Sequence, residues 1–181
     1  MRSEVWWYVA RSSGLVAWVL LTACTCVGLA QSSRILRGFA RAPWIIDLHR
    51  HLAALTVVFT TVHLGGLWAD SFVTFGPLDL FVPMASAWKP GAVAWGIVAV
   101  YLLVAIQATS LLMARMPRRV WHAVHLSSLA LFVVATIHGL QTGTDLSSTV
   151  VAWLGASAGA VLTFALTYRL LSRGGGRRAT T

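Results

Sequence analysis

All six histidines of this 181-residue chain fall in two apolar stretches, His49, His51 and His63 in one and His122, His125 and His138 in the other. An imidazole left in hydrocarbon costs free energy unless its ring nitrogens find partners, so these stretches must supply ligands, hydrogen bonds or a wet cavity. His49 and His63 are 14 residues apart and His125 and His138 are 13 apart. On an α-helix those spacings rise about 21 Å and about 19.5 Å. If the two helices run parallel, His49 meets His125 at one level and His63 meets His138 at a second. Two facing neutral imidazoles per level suit an iron porphyrin held between helices. Each ring then gives one nitrogen to iron and the other to a nearby acceptor.

The helical angles of the four histidines conflict at one place. Thirteen residues turn His138 about 140° from His125, so a π-bulge, a kink or staggered haems is required. His51 is about 200° round from His49 and suits a headgroup, loop or propionate contact. His122 is one turn from His125 and is its alternative as ligand. Two other chemistries use the same residues. Single membrane histidines serve packing or proton paths, and His49, His51, His122 and His125 are a candidate zinc or iron set, though one without carboxylate or thiolate ligands.

The elements that must position these rings are membrane spans. Hydrophobic residues make up 57% of the chain and charged residues 10%, with a mean hydropathy of +0.75. That is too little polar material to cover a soluble globule. Five segments are long enough to cross about 30 Å of hydrocarbon: Gly14–Ala30, Leu48–Trp68, Ala92–Ala114, Trp121–Gln141 and Val150–Leu171. The expectation is an all-α membrane bundle of about five transmembrane helices, with residues 5–171 as one haem-binding domain and 172–181 as a basic flexible tail.

The net charge of +9 is not a nucleic-acid signature, because the cations cluster at the ends of spans. Eleven of the fourteen, among them Arg34, Arg37, Arg41, Arg50, Arg115, Arg118, Arg119 and Arg169, fall on one side of a five-span topology. The positive-inside rule makes that side cytoplasmic, giving N-out and C-in in the cell membrane. Arg50 and Arg119 on that side, and Arg11 on the other, are candidate partners for haem propionates. The residues around Cys24 resemble a lipoprotein cleavage box, but cleavage would strand the Arg34 to Arg41 loop outside. Cys24 and Cys26 point to different sides of a helix. No C-x-x-C-H occurs for covalent haem attachment. The apolar loop SFVTFGPLDLFVPMASAW is expected to lie in the interface or to lid the outer level. Trp68, Trp88 and Trp153 suit an aromatic belt. Gly14, Gly28, Gly65, Gly66, Gly155 and Gly159 suit close helix packing.

Three stretches, WYVARSSGLVAW, DLHRHLAALTVVFTTVHL and RRVWHAVHLSSLALFVVATIHGLQTGTD, resemble the ferric reductase-like transmembrane domain superfamily. It includes the membrane cores of NADPH oxidases and ferric reductases, and the haem-binding membrane subunit of the periplasmic methionine sulfoxide reductase system. The histidine spacings and Trp121, four residues before His125, carry the resemblance. It implies two b-type haems, with His49 and His125 holding the inner iron and His63 and His138 the outer one. Oxidase and reductase members continue into an FAD and NADPH module, whereas this sequence ends in SRGGGRRATT. A separate flavoprotein, a quinone or an extracytoplasmic redox protein is therefore the expected partner, beside membrane lipid. The methionine sulfoxide reductase subunit has an arginine-like site where His49 stands, so His49 favours the full two-haem count. The expected function is a transmembrane haem electron conduit, the membrane subunit of an oxidoreductase. A self-contained ferric or oxygen reductase and a non-redox membrane scaffold or channel are the alternatives.

Overall fold

The computed structural model describes residues 2–32, 43–71 and 73–143, with six further helical positions between 155 and 167. Every regular element among them is helical. α1 runs Arg2–Ser32, α2 Pro43–Ala69, α3 Pro77–Phe81, α4 Pro90–Leu111, α5 Arg118–Leu126 and α6 Ser128–Thr142, with a 3₁₀ turn at Met113–Arg115 between α4 and α5. Four spans are long and apolar enough to cross a membrane: Glu4–Ser32, Pro43–Ala69, Pro90–Leu111, and α5 with α6 as Arg118–Thr142. The protein is a multi-pass membrane protein. The expected fifth span, Val150–Leu171, lies outside the described residues apart from those six positions, as do Trp153 and the 172–181 tail.

Helix ends follow the prolines. Pro43, Pro77 and Pro90 each open a helix, where the missing N–H costs nothing and the fixed φ is already helical. Met116, extended at φ −130° and ψ 156° before Pro117, ends the turn after α4, because the proline ring clashes with a helical residue ahead of it. α1 extends well before the expected Gly14, through the interfacial aromatics Trp6, Trp7 and Tyr8. Cys24 and Cys26 both lie inside this helix and are free thiols.

Hydroxyls on the spans bond back along their own helices. Thr25 donates to the Leu21 carbonyl, Thr60 to Thr56, Thr109 to Ala105 and Thr142 to His138, at 2.7–2.8 Å. In hydrocarbon this satisfies each polar side chain locally. The outward faces remain apolar, with Val104 59% and Leu111 77% exposed, which is the surface lipid tails cover.

By contacts the chain divides into two units, Met1–Val19 with Leu55–Gly143, and Leu20–Ala54 with Thr144–Thr181. In the first, α4 packs along α6, and α1 meets α6 where the Trp18 indole donates to Thr136 Oγ1 at 2.9 Å and stacks on Phe132. α1 meets α2 so closely that a Cβ on Gly66 would stand 2.9 Å from the Ala10 nitrogen. The 70–89 segment folds onto this unit. Phe75 and Leu80 bury against Val93 and Ile97, with Leu64, Leu67 and Val73 around them. The Asp79 carboxylate accepts from the Gly76 N–H at 2.8 Å, the Tyr101 hydroxyl donates to the Phe81 carbonyl, and Lys89 Nζ donates to the Gln141 carbonyl at 3.0 Å. In the second unit, Gln31 Nε2 of α1 donates to the Ile45 carbonyl of α2 at 3.2 Å.

The fourth span is interrupted between His125 and His138. α5 ends at Leu126 and α6 begins at Ser128. At Ser127 the main-chain N–H reaches back three residues to the Val124 carbonyl at 3.0 Å, and the hydroxyl bonds the same oxygen at 2.6 Å. A three-residue hydrogen bond tightens the turn, so the irregularity between His125 and His138 is overwinding and not a π-bulge.

Candidate functional site

His63 and His138 come together inside the first unit. Their ring centres are 6.4 Å apart with planes at 80°. The His63 Nδ1–H donates to the Ala10 carbonyl of α1 at 2.6 Å, and the His138 Nδ1–H donates to the Ala92 carbonyl of α4 at 2.8 Å. A carbonyl can only accept, so both rings carry their proton on Nδ1 and their lone pair on Nε2. This is the tautomer a metal-ligating histidine takes when a main-chain oxygen orients it.

In the second unit, His49 repeats the arrangement. Its Nδ1 lies 3.2 Å from the Cys24 carbonyl and 3.4 Å from the Cys24 sulfur. His125, in the first unit, lies flat on the Trp121 indole, ring centres 5.0 Å apart and planes 22° apart. His122 is exposed and tilted against the same indole at 6.1 Å. His51 is exposed and bonds its own helix, Nδ1 to the Asp47 carbonyl at 2.7 Å. Of the arginines, Arg11 lies with its guanidinium 4.6 Å over the Trp7 ring, beside the Ala10 carbonyl in sequence. Arg50 and Arg119 are exposed.

With about 2.0–2.1 Å from a metal to an imidazole nitrogen and about 1.1 Å from that nitrogen to the ring centre, two rings sharing one ion on an axis stand about 6.3 Å apart. The His63 and His138 centres match that separation. Among the described residues no three of His, Cys, Asp or Glu converge. A pair of histidines would suit an ion that arrives with further ligands of its own, as porphyrin iron does. The Trp121 indole N–H is buried with no acceptor among the described residues, and it offers a donor to an incoming carboxylate.

A family model for the ferric reductase-like transmembrane component matches residues 13–136. The chain belongs to that family. The match takes in His49, His63, His125 and Trp121 and stops two residues short of His138. Comparisons with curated proteins and with solved structures return no match. Membership in this ferric reductase-like family supports a membrane redox role in electron transfer.

The sequence reading missed the acceptors. Ala10, Cys24 and Ala92 contribute main-chain oxygens, and no residue letter announces a carbonyl. The detectable signal was indirect: a buried histidine needs an acceptor for its second nitrogen.

Proposed function

We propose that the protein is a b-type haem electron conduit that carries single electrons across the cell membrane to an acceptor on the far side. One haem is held by His63 and His138. A second, assigned on sequence register alone, takes His49 and His125 as ligands. The observation that carries this reading is the pair of rings at 6.4 Å, each turned by a main-chain carbonyl so that Nε2 bears the lone pair.

When bound, haem supplies a one-electron iron couple. The chain's own residues do the rest. The Ala10 and Ala92 carbonyls fix the rings and raise their basicity as ligands. The apolar wall of the spans excludes water and lowers the local dielectric. Arg11, Arg50 and Arg119 are the cations assigned to propionates, and the Trp121 N–H is a further donor. By the positive-inside rule the His63 and His138 level lies towards the extracytoplasmic face. The 70–89 segment then covers that end and offers the surface where an extracytoplasmic partner docks. Electrons enter from a separate flavoprotein or from quinol.

Proteoliposomes enclosing ferricyanide, with dithionite added outside, test the reading. Haem-loaded protein should bleach the enclosed ferricyanide, and His63→Ala should abolish the fast phase. Equal bleaching by wild type and variant would refute it.

A further inference from the structure

Resting on the reading of His49, His63 and His138 as haem ligands, we propose that Gly14, Gly28 and Gly96 are histidine-positioning notches. Each would open the helix carbonyl four residues before it to a ligand ring on a neighbouring helix. The same pattern occurs three times. His63 bonds the Ala10 carbonyl, and a Cβ on Gly14 would stand 2.9 Å from His63 Nδ1. His138 bonds the Ala92 carbonyl, and a Cβ on Gly96 would stand 2.7 Å from both Nδ1 and Cε1 of His138. His49 lies against the Cys24 carbonyl, and a Cβ on Gly28 would stand 3.3 Å from His49 Cε1.

The spacing has a physical cause. A helical carbonyl already accepts from the N–H four residues on, and the side chain of that residue leans back over the same turn. A glycine there removes the lean, so the carbonyl's second lone pair can reach an imidazole N–H from another helix. On α1 the two notches, Gly14 and Gly28, are 14 residues apart, the separation of His63 and His49 on α2.

The corresponding place on α4 carries no glycine. Thirteen residues after Ala92 and Gly96, the step between His125 and His138, stand Ala105 and Thr109. There the Thr109 hydroxyl itself bonds the Ala105 carbonyl at 2.7 Å. His125 is stacked on Trp121. Glycines without this role are also recognisable, since a Cβ on Gly65 or Gly139 would meet nothing within 4 Å although each lies one or two residues from a histidine.

The test uses full-length, haem-loaded protein in detergent. It reads haem per chain, the low-spin electron paramagnetic resonance signal and the midpoint potential of each haem. Gly96→Ala and Gly14→Ala should weaken retention of one haem by about 10–100-fold, the usual cost of losing an orienting partner. That haem's resonance should shift and its potential rise, because a ligand without the carbonyl bond is less basic and favours ferric iron less. Gly28→Ala should do the same more mildly to the other haem, and it keeps the proposal testable if the tighter two fail to fold. Gly65→Ala and Gly139→Ala should match wild type. Gly66→Ala, which meets main chain and no histidine, should lower the folded yield without moving the resonance. Unchanged resonance and potential in the folded notch variants would overturn the proposal while leaving the haem reading intact. A wild type that binds no haem would overturn both.

Discussion

Two histidines of one span behave differently because of what their Nδ1 atoms reach. His63 crosses to α1 for its acceptor, whereas His51 is exposed and bonds back to Asp47 on its own helix. His51→Ala should therefore leave the haem content unchanged, and His63→Ala should cost about one haem per chain, as expected when an axial ligand is removed. Parallel reduced-minus-oxidised spectra decide this; a comparable loss in both variants would remove the distinction. At this scale the sequence was informative about side chains and silent about main chain. Six histidines in two spans, with steps of 14 and 13 within them, name the candidates, because an imidazole is costly to bury in an apolar span and can ligate a metal there. The Ala10, Cys24 and Ala92 carbonyls are unreadable, since any residue has one. Gly14 and Gly28 are visible as small residues, but which small residues face a ring depends on helix rotation that composition does not encode.

The spans themselves follow from apolar length and proline punctuation, and the described helices overlap all four expected segments they cover. α1 begins earlier than hydropathy predicts because polar residues such as Arg11 and Ser13 are carried within a continuous helix. Arg11 stacks on Trp7, and Ser13 bonds the Val9 carbonyl at 2.5 Å. The break at Ser127 was legible only as an angular conflict between His125 and His138. The fold of the 70–89 segment was less legible still, because its core is made with residues from α2 and α4. Leu80, 4% exposed, is the centre of that contact. Leu80→Ala should cost about 2–5 kcal/mol of local stability, the range for a buried leucine. Hydrogen exchange and limited proteolysis should then speed up across 70–89 while the spans stay protected. Unchanged protection would mean that the segment is not anchored there.

For the molecule as a whole, the distribution of arginines predicts the orientation: the basic loops in the cytoplasm, the 70–89 segment outside. Met84, in that segment and 64% exposed, is a suitable reporter. In a background with Cys24 and Cys26 replaced by alanine, Met84→Cys should react with a membrane-impermeant maleimide on intact cells or spheroplasts. Reaction only after lysis would invert the topology, and with it the direction of electron flow. Membership in the ferric reductase-like family supports a membrane redox role, and under the proposed function the sidedness decides which compartment receives the electrons.

The most direct measurement is a pyridine haemochrome count on purified wild type, His63→Ala and His138→Ala. Two haems b per chain, falling to about one in each variant, is the result expected of a bis-histidine pair that shares one iron. No haem in wild type, or full retention in both variants, would contradict the account at its centre.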